Sequence, residues 1–156
     1  MKLFVLGSAE PGSAHSAMTS GLARAARLAG NRVEECWLPS PRDGAVELSA
    51  LSASLLRGWE GDRFLAVGVP AVFAPMPNAL VWLDSIDAIL SAGLEAALAL
   101  ALRGRHVLAT TERCQRELAN GCGLYAQLVP LPDITLHAGK PAFRVAWQPI
   151  LALATS

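Results

Sequence analysis

An excess of charge of either sign is missing from this chain. Thirteen basic residues balance thirteen acidic ones, and the basic residues are scattered, with no cluster beyond Arg103-Gly104-Arg105. Without a broad positive field there is little to neutralise phosphates, which argues against nucleic acid and anionic membrane surfaces as partners. Long hydrophobic runs are missing too. Asp84, Asp87 and Glu95 interrupt the most apolar region before it reaches the roughly 18 residues of a spanning helix. The apolar run ahead of Gly7 is four residues, too short for the core of a secretion signal, so a cytoplasmic protein without membrane insertion is expected. Cysteine is scarce: Cys36, Cys114 and Cys122 form no C-x-x-C pair and match no zinc spacing, the pattern of reduced thiols. No Ser-His-Asp order, metal triad or Walker loop is present.

What is there is a core. Just over half of the 156 residues are hydrophobic, enough for a single domain over 1–156 that buries roughly 70% of its unfolded surface. LFVL at 3–6 is a continuous apolar run closed by Gly7, the pattern of a strand buried on both faces. Met18, Leu22, Ala25 and Leu28 then repeat at helical steps, and Gly30-Asn31 supplies the stop. RVEECW at 32–37 reads as a second strand, PSPRDG at 39–44 as a turn and 46–59 as a second helix. FLAVGV at 64–69 is a third strand. The spacing of Leu80, Leu83, Ile86 and Leu90 predicts a helix over 79–90, followed by a helical stretch at 95–102. RHVLATT at 105–111 reads as strand four, 112–120 as a short helix, and 124–138 as holding strand five. Pro149 argues against one long element in the tail. Strands alternating with helices predict an α/β fold: a doubly wound, three-layer, five-stranded parallel sheet.

In such a sheet ligands sit beyond the carboxyl ends of the strands, where the strand order reverses. The segments expected there are GSAEPGSAH after strand one, PAVFAPMPN after strand three and TTERCQ after strand four. Gly7 and Gly12 permit a tight turn, Ser8, Ser13 and Ser16 carry hydroxyl donors, and the following helix aims its first N–H groups at the loop. The same residues also describe a plain β–α turn with Ser13 or Ser16 as the N-cap. Glu10 opposes a phosphate unless it points to solvent. His15 reads either as an added donor or as an exposed first-turn histidine. Pro70, Val72, Phe73 and Met76 form an apolar second loop that could pack on a flat ring or belong to the core. Thr110 and Thr111 open a third loop without glycine, and Cys114 within it reads as structural rather than nucleophilic.

At these residues the chain resembles a known family, the flavodoxin-like NAD(P)H:quinone and FMN reductases, in particular the branch of the ancillary flavoprotein of glutathione-gated potassium efflux systems. Ser8, Ser13 and Ser16 stand where that family has phosphate-loop donors. Pro70, Phe73, Pro77, Leu80, Trp82, Leu83 and Asp84 read like its proline-aromatic-proline motif running into L-K-x-W-[IL]-D. SAGLEAALALALRGRHVLATT and CGLYAQLVPLP are similar to two later segments. The resemblance implies strand order 2-1-3-4-5 and FMN with its phosphate on Ser8, Gly12, Ser13, His15 and Ser16. Its ring would lie between the segments of Pro70, Val72, Phe73 and Met76 and of Thr110 and Thr111. It implies an enzyme that takes hydride from NAD(P)H for a quinone or similar small acceptor, working as a homodimer. The departures are Val81 for the motif's lysine, Leu94-Glu95 for an aromatic pair, and a third loop cut to the ten residues between Thr111 and Cys122. They frame the alternative, a flavin-free relative acting as a binding or regulatory module.

Overall fold

The first strand divides its side chains between two cores. Leu3, Phe4, Val5 and Leu6 are all fully buried. Leu3 and Val5 join one apolar cluster, Phe4 and Leu6 the other, as the two-residue period of a strand requires. The computed structural model describes residues 1–8, 14–38, 61–74 and 79–156. Within them six parallel strands form one sheet: β1 (Lys2–Ser8), β2 (Arg32–Leu38), β3 (Arg63–Val67), β4 (Leu80–Leu83), β5 (His106–Ala109) and β6 (Gln127–Leu128), in the order β2-β1-β3-β4-β5-β6. The helices are α1 (His15–Leu28), α2 (Val69–Val72), α3 (Asp87–Ala92), α4 (Glu95–Leu102), α5 (Glu112–Cys122) and α6 (Pro141–Thr155).

Met18 and Leu22 of α1 and Phe143, Trp147 and Ile150 of α6 share a cluster with Leu3, Val5, Leu65, Val67, Trp82 and Leu108 of the sheet. Val72 of α2, Ile89 of α3, Leu98 of α4 and Leu118 of α5 share the other with Phe4, Leu6, Ala66, Val81 and Leu83. The result is three layers with helices on both faces. The β1-to-β2 crossover runs towards one edge over the α1 face. The steps from β3 to β6 run towards the other edge over the opposite face, as right-handed crossovers demand.

Two expectations are corrected. Residues 80–83 are not helical: LVWL is β4, paired as Leu65↔Leu80 and Val67↔Trp82 on one side and as Val81↔Val107 on the other. Trp82 enters the α1/α6 core and donates its indole N–H to the Val129 carbonyl at 3.1 Å, while Val81 and Leu83 face the other core. A four-residue apolar run buried on both faces carries no period of its own, so the neighbouring Ile86 and Leu90 produced a false helical spacing. The sheet therefore has six strands rather than five, the run at 106–109 is β5, and 127–128 is the short β6 that ends before Pro130. The second correction is the tail, a single helix that contains Pro149. Pro149 and Val145 are both exposed, so the carbonyl deprived of its helical donor lies on the side reached by water. The expected turn at 39–44 and helix at 46–59 lie outside the described residues.

The seam between α1 and α6 depends on one small residue. A Cβ added to Gly21 would overlap Cζ2 and Cη2 of Trp147, itself 1% exposed. Alanine gains about 1 kcal/mol of helix propensity over glycine, but displacing a packed indole costs about 1–3 kcal/mol. Gly21→Ala is expected to lower the unfolding free energy, measured by urea titration, despite its better helix former.

Candidate functional site

The strand order reverses between β1 and β3, so the carboxyl ends of those two strands flank the crevice where an open parallel sheet takes ligands. Ser8 ends β1 and the chain re-enters the described residues at Ala14, the N-cap of α1. Alanine has no oxygen to cap the first turn, and that turn holds no acidic residue. An anion there would meet the helix's positive end without a competing side chain from Ala14.

Two glycines seat α1 on the sheet. A Cβ on Gly7 would overlap the side chain of Thr19, which is fully buried and donates its hydroxyl to the His15 carbonyl at 2.8 Å. A Cβ on Gly68, just past β3, would stand 2.9 Å from each of Cγ, Cδ2 and Cε1 of His15, so the imidazole lies face-on against that glycine. His15 Nε2 is 2.6 Å from Oδ1 of Asp84, the residue after β4. The pair thus bridges α1 to the end of β4 across the end of β3. His15 is 7% exposed, which corrects the reading of an exposed first-turn histidine.

Burial pushes the Asp84 carboxyl up, but the hydrogen bond and charge of His15, with the backbone N–H groups of Asp84 and Ser85, outweigh it and hold the group below its ordinary range. A bond of this length between imidazole and carboxylate is charge-assisted. It keeps a proton on Nε2 and fixes the ring's orientation, the arrangement that holds a histidine ready for acid–base work or simply locks two segments together.

Ser16 is half-buried in the first turn of α1, and Pro70 is half-buried in α2 immediately after Gly68. Thr110 is buried and its N–H donates to the Leu83 carbonyl at 2.9 Å, extending the ladder past β5. Ser8, His15, Ser16, Pro70 and Thr110 therefore belong to the crest. Thr111 is exposed beside it, but its hydroxyl oxygen accepts from Cys114 N at 3.1 Å as the N-cap of α5.

Val72 and Phe73 do not belong there. Because β4 runs parallel to β3, the chain after Gly68 must return to the amino edge of the sheet before Leu80. The carbonyls of Val72 and Ala74 accept from the Arg105 guanidinium at 2.8 and 3.3 Å, and Arg105 stands just before β5, whose first residue pairs with Leu80. Val72 is fully buried in the core and Phe73 is 37% exposed on that descending crossover. Gly12, Ser13, Met76 and Glu10 lie outside the described residues. Cys114 is buried with its thiol directed at the Leu83 carbonyl, and burial, aided by Asp84, Glu117 and Asp87, pushes it up to about 12. A thiol so protonated is no nucleophile.

Asp84 and Gly68 are the site residues that sequence reasoning missed. An acid directly after a doubly buried strand marks a crest position, a signal lost once 79–90 was read as a helix. Among the described residues no group of three or more His, Cys, Asp or Glu is arranged to hold a metal, and no helix is long and apolar enough to cross a membrane. No protein-family model matches the chain, and no curated protein does.

Proposed function

We propose that this chain is a flavodoxin-like, FMN-dependent oxidoreductase that passes hydride from NAD(P)H to a quinone-like acceptor in the cytoplasm. The observation that carries the reading is the start of α1. It lies at the reversal of a parallel sheet, follows a glycine- and serine-rich loop, and has, among the described residues, neither an acidic first turn nor a side-chain N-cap. These residues fit a phosphate: α1 and Ser16 would hold it, with Ser8, Gly12 and Ser13 as the resemblance implies. FMN would supply the hydride chemistry when bound, and the protein's part is binding and orientation.

The ring end fits less well. His15 already covers the backbone of Gly68, Phe73 is off the crest and the Thr111 oxygen is engaged as a cap. That specific observation favours a second reading, a flavin-free relative in which the His15–Asp84 bridge closes the crevice and the protein serves as a binding or regulatory module. No reaction step is therefore routed through the ring.

One titration separates the two. Under the first reading the purified protein shows flavin absorbance or takes up FMN in a 1:1 ratio. FMN at about a hundred times its Kd then adds about 2.7 kcal/mol of stability, and NAD(P)H bleaches the bound flavin. A colourless protein whose melting temperature ignores FMN sinks the first reading and leaves the second.

A further inference from the structure

A surface helix normally turns charged residues to water and keeps one apolar stripe for the core. In α5, Cys114 and Leu118 are buried while Glu112, Arg113 and Arg116 are exposed. α4 departs from that pattern. Its AALALAL run between Glu95 and Arg103 contains no polar side chain. Leu98 and Leu102 enter the core shared with α2, α3 and α5. The opposite side, Ala96, Ala97 and Leu100, faces water; Leu100 is 71% exposed, and Leu94 just ahead of the helix is 42% exposed. Contiguous exposed apolar surface of this kind marks an interaction site.

The charges at the two ends of α4 narrow the choice of partner. Glu95 opens the helix and Arg103 follows its last residue, about 12 Å further along the axis. One acid and one base leave the face without net charge, so it offers little to a strongly charged partner. They do complement the same helix reversed. In an antiparallel pair related by a two-fold axis near Ala99, Glu95 of each copy lies beside Arg103 of the other, and Leu100 of each meets Ala97 and Leu100 of the other. A parallel pair would set Glu95 against Glu95 and Arg103 against Arg103.

We propose that the α4 face is where two copies of this chain associate, α4 antiparallel to α4 about a two-fold axis. The family resemblance implies a homodimer without naming a surface; this inference names one, and it rests on no ligand at the crest. One helix of eight residues falls short of the roughly 800 Å² per partner of a standard interface. Association is therefore weak and concentration-dependent, roughly micromolar or weaker. Leu100 supplies the affinity, and the charge pairs at the rim fix the direction.

Sedimentation equilibrium of the full chain over a range of concentrations is expected to show monomers and dimers in exchange. Leu100→Glu should weaken dimerisation roughly a hundredfold, because each copy loses a leucine buried in the pair. It should leave the melting temperature of the dilute protein in place, because that side chain is exposed in the single chain. Arg103→Glu alone and Glu95→Lys alone each place like charges at both ends of the antiparallel pair, so each should self-associate more weakly than the wild type. Mixed in equal amounts, the two variants should recover dimerisation as a heterodimer, since opposite charges then meet at both ends. A chain that stays monomeric up to about a millimolar overturns the proposal. So do dimers that Leu100→Glu leaves as tight, single charge variants that associate as well as the wild type, or a mixture no more associated than its components.

Discussion

Gly68→Ala is expected to cost about 2–6 kcal/mol of folding stability, the sum of a backbone and a packing penalty of about 1–3 kcal/mol each. Gly68 has φ +83° and ψ 160°, a conformation open in practice to glycine alone. Its new methyl would also meet three atoms of the His15 ring at 2.9 Å. That ring has no room to retreat, because Nε2 is held by Asp84 and the side chain is 9% exposed. Against a typical total of about 5–15 kcal/mol, the change removes a large share of the stability. A urea titration with an unchanged slope reads it directly. Gly30→Ala is the control: φ is +89° but nothing lies within 4 Å of the added carbon, so only backbone strain is incurred. If the two variants lose the same stability, the imidazole does not rest on Gly68 and the crest described above is wrong.

Asp84→Asn is expected to cost about 1.5–3 kcal/mol near pH 7, the usual worth of a hydrogen bond to a charged partner, and progressively less in acid. The sign follows from the direction of the Asp84 shift. Its folded pKa lies below the unfolded value, so its stabilisation is present above about pH 4 and disappears as pH falls through the lower, folded value. Urea midpoints of the wild type and Asp84→Asn should therefore be well separated at neutral pH and converge in strong acid. A double-mutant cycle with His15→Gln assigns the loss to the pair rather than to either residue. A gap that stays constant between pH 7 and pH 3 would show that Asp84 draws its stability from something other than its charge.

Fold class was readable before any coordinates. LFVL, FLAVGV and RHVLATT are apolar runs closed by turn residues, and the 3.6-residue repeat from Met18 to Leu28 separates them unmistakably from helix. The reversal of the sheet at β1 was implied by the family resemblance rather than by that alternation, and Cys114, read from the sequence as structural, is buried. The site was less legible. His15 and Asp84 are 69 residues apart, and no local pattern links an imidazole at a helix start to a carboxylate after a strand. Gly68 gave no sign of its partner either, since the reason for glycine there is a ring contributed by another element.

The sequence alone determined which segments are apolar, with what period, and where glycine or proline interrupts them, because those properties act between near neighbours along the chain. Tertiary structure alone decided that LVWL is a strand, since β3 and β5 stand on both sides of it to accept its backbone hydrogen bonds. That decision sent Val72 and Phe73 down the sheet and brought Asp84 up to the crest, where it meets His15 of α1. A four-residue segment takes its conformation from the partners that satisfy its N–H and C=O groups, and those partners are chosen by the whole fold.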